Sequence, residues 1–115
     1  NHYKKTKIMS VNMSSVVQSE VKINFQSLRK LELLVRAINH RLRLEIIKVL
    51  QSEGEITVTD LYIMLRTEQS VTSQHLALLR KASILITSRR GKYVYYSVDK
   101  NRLKEISRLL DELVK

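Results

Sequence analysis

Between Phe25 and Ala82 the apolar residues recur every three or four positions, whereas between Ile84 and Val98 they alternate. The first spacing is that of an amphipathic helix and the second that of a strand with one covered face, so the change of period at residue 84 sets a β-hairpin against a set of helices. Ile84 and Ile86 lead into Arg89-Arg90-Gly91-Lys92, and Val94, Tyr96 and Val98 lead out, with Gly91 available for a positive φ at the tip. No proline and only two glycines occur in 115 residues, so few turns are forced elsewhere. An all-β architecture is excluded, and the fold class is mainly α with a small β-hairpin.

The helices can be placed in order. Phe25, Leu28, Leu31, Leu34, Val35 and Ile38 form the stripe of a first helix, with Arg29, Lys30, Glu32 and Arg36 between them. Leu42, Ile46, Val49 and Leu50 form a short second one, stopped by Ser52 to Gly54. Glu55 to Thr57 is a brief extended link, after which Thr57 or Thr59 can cap a third helix carrying Leu61, Met64 and Leu65. Thr67 to Ser70 turns the chain into a fourth helix, residues 70–82, with Val71, Leu76, Leu79 and Ala82 on its apolar face and Thr72, Ser73 and Gln74 near an exposed N-terminal end. Leu103, Ile106, Leu109, Leu110 and Leu113 mark the last helix. Two helices joined by a short turn and followed by a hairpin make a winged helix-turn-helix.

Charge points to the partner. The formal net charge of +10 favours an acidic surface, either nucleic acid or an anionic membrane. Residues 66–98 hold six Lys or Arg against one acid, the densest positive stretch, and it contains the fourth helix and the hairpin. The absence of cysteine rules out disulfides, thiolate-bound metal and thiol redox sensing. No apolar run approaches the roughly 20 residues that cross a bilayer. Lys4, Lys5 and Lys7 precede Ile8 to Val17 in the manner of a signal peptide, but Ser10, Asn12, Ser14 and Ser15 interrupt that run. Residues 1–24 are therefore expected to be a basic, flexible tail, residues 25–115 the folded domain, and the chain cytoplasmic. The acids are scattered and form no acid-base or nucleophilic constellation, so no catalytic residue and no enzyme activity are expected.

The stretches NHRLRLEIIKVL at 39–50, EITVTDLYIML at 55–65, SVTSQHLALLRKASIL at 70–85 and RRGKYVYYSV at 89–98 together resemble the ArsR-type (arsenic-repressor-like) bacterial transcriptional regulators. The resemblance covers residues 25–115 and implies that they form the DNA-binding and dimerisation domain. It implies a homodimer joined through the first and last helices, a dimeric repressor on a palindromic double-stranded operator, with helix 70–82 in the major groove and hairpin 84–98 as a wing. By position, Gln69, Ser70, Thr72, Ser73, Gln74 and His75 inherit the recognition-helix contacts, and Arg89, Arg90 and Lys92 those of the wing. A winged-helix module that binds proteins without specific DNA binding is the alternative.

Individual residue types refine this assignment. The Gln74 amide can pair bidentately with adenine, while Ser and Thr read bases less selectively. Ser70 can act as both helix cap and phosphate contact, and His75 as a phosphate contact, while His40 is structural. No acid lies within several residues of Arg89, Arg90 and Lys92, which suits them to phosphates or a minor groove. Arg80 and Lys81 complement the dipole at their helix end, and Tyr93, Tyr95 and Tyr96 serve hairpin packing. The chain also departs from its relatives. Arg41 stands where many have proline, Thr57-Val58-Thr59 where metal sensors have Cys-Val-Cys, and Lys100, Arg102 and Leu113 near the positions of zinc-binding Asp and His. No metal, no cofactor and no membrane partner are expected, and no residue pattern points to an inducer.

Overall fold

The computed structural model describes residues 20–115; most of the expected basic tail, residues 1–19, lies outside them. Five helices and three strands follow in the order α1 (Phe25–Ile38), α2 (Arg41–Glu53), β1 (Ile56–Thr57), α3 (Val58–Leu65), α4 (Gln69–Lys81), β2 (Leu85–Arg90), β3 (Tyr93–Val98) and α5 (Lys100–Leu113). The described residues form a winged helix-turn-helix. Short polar side chains set most of the helix starts by accepting from otherwise orphaned N–H groups. Asn24 accepts from the Ser27 N–H at 3.1 Å, Thr57 from Asp60 at 3.3 Å and Asp99 from Arg102 at 3.1 Å. His40 does the same for α2, its Nδ1 accepting from Leu42 at 3.1 Å. Thr57, rather than Thr59, is thus the cap of α3.

The start of α4 differs from expectation. The helix begins at Gln69, with Glu68 as its N-cap residue and no side-chain cap bond. Ser70 therefore lies inside the first turn, and the capping role expected of it is corrected. At the other end Ser83 takes φ 62°, its N–H bonds the Arg80 carbonyl at 3.0 Å, and the Ile84 N–H reaches back to Leu79 at 3.1 Å. This paired closure with a left-handed residue is a Schellman motif. It packs Ile84 against Leu79, both fully buried.

Ile84 consequently belongs to the helix stop and not, as its spacing suggests, to the strand. The inward residue of β2 is Leu85, 7% exposed, and Ile86 points outward at 48%. The hairpin register runs from Leu85 opposite Val98 to Arg90 opposite Tyr93, leaving Gly91 and Lys92 as the turn. Gly91 takes φ 62°, as a two-residue hairpin with glycine first requires. The expected extended link is itself a strand: Ile56 pairs with Tyr96 and Thr57 with Tyr95, giving a three-stranded antiparallel sheet in the order β1-β3-β2.

The core lies between this sheet and α2, α3 and α4. Ile46, Leu50, Leu61, Leu76, Leu79 and Ile84 are its fully enclosed side chains, and Ile106 from α5 joins them. α1 lies outside and buries no residue completely. Among the described residues no helix is long and apolar enough to cross a membrane.

Candidate nucleic-acid interface

α3 and α4 are joined by Arg66–Glu68, with Arg66 in the left-handed region at φ 56°, so α4 leaves the turn at a fixed angle over the core. Leu76 and Leu79 fasten one side of it. The other side carries Gln69, Ser70, Ser73 and Gln74, all exposed. Spacings of one, four and five residues put these side chains on one stripe of a helix, so the backbone presents amides and hydroxyls along a single edge.

Thr72 departs from this set. It is fully buried, and its Oγ1 has no hydrogen-bond partner. The exposure expected of it is corrected, because Thr72 and Leu76 stand four residues apart and share the inward face of α4. His75 is half-buried and turned to the protein. Its Nδ1 accepts from Arg43 Nη1 at 2.9 Å, and its ring lies 4.6 Å from that of His40. Burial, then the neighbouring charges of His40 and Arg43, push its pKa below the ordinary histidine value. With Nδ1 as acceptor the neutral ring keeps its proton on Nε2, which is its remaining donor. Nε2–H is therefore the donor left on this ring for the expected phosphate contact.

Arg43 is the functional residue that sequence reasoning missed. Only 8% exposed, it donates through Nε to the Ala37 carbonyl and through Nη2 to the Arg36 carbonyl at 3.1 Å, besides meeting His75. One guanidinium closes the C-terminal end of α1 and holds α4 from behind. The signal was present, because Arg43 stands three, four and seven residues before Ile46, Ile47 and Leu50, on the inward stripe of α2.

On the wing, Arg89, Arg90 and Lys92 are all exposed. Arg90 is held: its Nη2 meets Glu55 at 2.8 Å, and its guanidinium lies 3.8 Å from the Tyr95 ring centroid. The acid absent from the neighbouring sequence is supplied by the segment before β1, so Arg90 is ion-paired. Lys92 lies over Tyr93 at 5.4 Å. Arg89 and Lys92 form no ion pair among the described residues. Tyr95 and Tyr93 thus position wing cations as well as packing the hairpin. Thr57 is occupied as a cap, and among the described residues no three His, Asp or Glu side chains converge on a metal-sized site.

An exposed polar stripe on the second helix of a helix-turn-helix, beside a cationic hairpin, defines the winged-helix class of DNA-binding transcriptional regulators. Comparison with known proteins narrows the class. The profile of the bacterial regulatory protein arsR family matches residues 40–87. The transcriptional repressor PagR of Bacillus anthracis is 32% identical over 92 residues, covering 80% of this chain and 92% of the relative. Its crystal structure superposes with a TM-score of 0.62 over 76% of this chain and 99% of that one. The arsenical resistance operon repressor of Escherichia coli is 33% identical over 79 residues, 69% of this chain and 68% of its own. NolR from Sinorhizobium fredii, 26% identical, gives a TM-score of 0.67 over 82% of this chain and 96% of that one. The chain belongs to the arsR family of bacterial regulatory proteins.

Proposed function

We propose that the protein is a dimeric repressor of transcription that lays α4 in the major groove of a palindromic operator and steadies it with the β2–β3 wing. The observation that carries this reading is the continuous stripe Gln69, Ser70, Ser73 and Gln74, exposed on a helix whose opposite side is locked into the core. Gln74 reads a base edge, the hydroxyls and Gln69 address phosphates and less selective edges, and Arg89 and Lys92 add backbone affinity. Thr72 leaves the DNA-facing set, and Arg90 acts through the Glu55 and Tyr95 contacts that hold the wing tip.

Dimerisation is supported by apolar surface that this chain does not cover. Phe25 is 78%, Leu28 50% and Leu113 63% exposed, on α1 and α5. Such faces bury themselves against a second copy, and two α4 helices related by a twofold axis read two half-sites about one DNA turn apart, roughly 34 Å. Residues 25–115 contain every part this mechanism uses.

Selection of bound duplexes from a random pool tests the reading. An enriched inverted repeat is expected, and Gln74→Ala should change the preferred base at one position in each half-site. Arg89→Ala should instead weaken all duplexes alike and reduce the salt slope by about 0.9 for each phosphate no longer neutralised. Selection of no sequence, with a protein ligand retained, would favour the interaction-module alternative.

A further inference from the structure

Where the C-terminal half of α4 meets α1 and the start of α5, the molecule holds a groove of about 620 Å³. Leu33, Ala37, Leu78 and Ala82 form its apolar floor, and Leu33 and Leu78 are 57% and 44% exposed. Lys30, Lys81 and Arg102 stand on its rim, Arg36 and Arg43 complete the polar lining, and no acid lines it. Arg36 is paired with Glu32 at 3.0 Å and Arg102 with Glu105 at 3.8 Å, whereas Lys30 and Lys81 meet no carboxylate among the described residues.

An apolar floor under unneutralised cations fits one kind of occupant. A DNA phosphate carries no apolar body to cover Leu33 and Leu78, and the chain's own N-terminal residues bring Lys4, Lys5 and Lys7 towards like charge. A second copy is expected on the other flank of α1. At about 100° per residue, Leu33 lies roughly 140–160° around the helix from Leu28 and Val35 and roughly 80° from Phe25 at the far end of α1, so a partner centred on Leu28 and Val35 leaves the groove open. The volume is that of a small-molecule site, which spans roughly 300–1,000 Å³.

We propose that this groove binds a small amphipathic anion, a carboxylate on an apolar body, and that its occupancy lowers operator affinity. Leu33, Leu78 and Ala82 take the apolar body, while Lys30 and Lys81 take the carboxylate. Arg43 provides the coupling. It lines the groove and also holds His75 of α4 and the carbonyls of Arg36 and Ala37 at the end of α1. An anion that draws this guanidinium towards itself loosens α4 at His75, the residue next to Gln74. By linkage, bound operator must weaken the anion to the same degree. This second effect rests on the proposed DNA reading, and the binding itself does not.

The experiment titrates decanoate, and decanol as its uncharged counterpart, into the full chain below micellar concentrations while following leucine and alanine methyl resonances by NMR. Decanoate should shift Leu33, Leu78 and Ala82, with decanol binding at least tenfold more weakly. The double variant Lys30→Glu/Lys81→Glu should keep the remaining methyl spectrum and lose decanoate binding tenfold or more. Decanoate added to a preformed complex with the selected operator should then raise its dissociation constant at least fivefold. Equal affinity for decanol, shifts confined to Leu28, Leu110 and Leu113, or undiminished binding by the double variant would overturn the site. Methyl shifts at the groove with an unmoved operator complex would overturn the coupling alone. A chain that selects no operator would sink the DNA reading while the NMR titration still decided the site.

Discussion

The centre of the molecule and its flanks are both built from amphipathic helices, the flanking ones more strongly so, with opposite results. In the centre, Ile46, Leu61, Leu79 and Ile84 are wholly enclosed by α2, α3, α4 and the sheet. On the flanks, α1 has the same repeat of leucines and buries none, and α5 buries only Ile106. Burial therefore depends on what stands opposite a stripe, and not on the stripe alone. A central stripe meets another element of the same chain. A flank stripe is left partly open in the single chain, and α1 is held by Leu34 and Ile38, packed against the core, and by the Arg43 guanidinium at its C-terminal end.

The largest effect should come from setting one leucine of each region to alanine. Leu61→Ala opens a cavity in a closed core and should lower stability by about 2–5 kcal/mol in urea unfolding at any protein concentration. Leu110→Ala, at a position 38% exposed in the single chain, should cost under about 1 kcal/mol in dilute protein and more as concentration rises, as expected of a face covered by the proposed second copy. Equal, concentration-independent losses would make the flank part of the core and end the distinction.

A smaller effect is expected where the regions join. Arg43→Met keeps an apolar stem but leaves the carbonyls of Arg36 and Ala37 and the Nδ1 of His75 without their donor, a loss of about 1–3 kcal/mol. Amide exchange should quicken most in the last turn of α1. Arg43→Lys should recover little, since a single ammonium cannot serve three acceptors with the guanidinium's fixed fork. Unchanged exchange in α1 would show that something other than Arg43 holds the flank.

What the sequence made legible follows the same division. Local periodicity places all five helices and the hairpin, and Thr57 marks the cap of α3. Features made by distant residues were hidden. Glu55 and Arg90 stand far apart in sequence and meet only because β1 joins β3. Ile84 reads as strand because the Schellman closure that claims it runs through Ser83, where glycine would have given the signal. Thr72 reads as polar surface because residue type outweighed its four-residue spacing to Leu76. Of the expected interface, Gln69, Ser70, Ser73, Gln74, Arg89, Arg90 and Lys92 are exposed, whereas Thr72 and His75 needed the tertiary structure to be placed.

pH acts on the join more gently. Burial and the charges of His40 and Arg43 hold the His75 pKa below its usual 6.5, so the unfolded chain binds the more protons as pH falls through that value. Stability contributed by the neutral ring is complete above about 6.5 and is lost as pH drops through the lower, folded pKa. The urea midpoint of the unsubstituted protein should therefore fall between about pH 7.5 and 5.5, on either side of that ordinary value. In His75→Gln, whose amide oxygen can still accept from Arg43, the fall should be shallower. Parallel curves for the two proteins would remove His75 as the source.

The smallest expected effect is also the sharpest test of which side of α4 belongs to the centre. Thr72 is fully enclosed and its hydroxyl is unpaired, so it bears the desolvation of a polar group with no compensating bond. Thr72→Val replaces that hydroxyl by a methyl group of similar volume and keeps the β-branch, which leaves helix propensity nearly unchanged. Stability should stay level or rise by up to about 1 kcal/mol, the scale of an uncompensated buried hydroxyl, and the operator preferred in selection should be unaltered. Ser73→Val, one position on and exposed, should leave stability within about 0.5 kcal/mol and weaken operator binding instead. If Thr72→Val were the variant that changed sequence preference, α4 would have to be rotated by about 100°, the step of one helical residue, and Leu76 and Leu79 could not then both lie in the core.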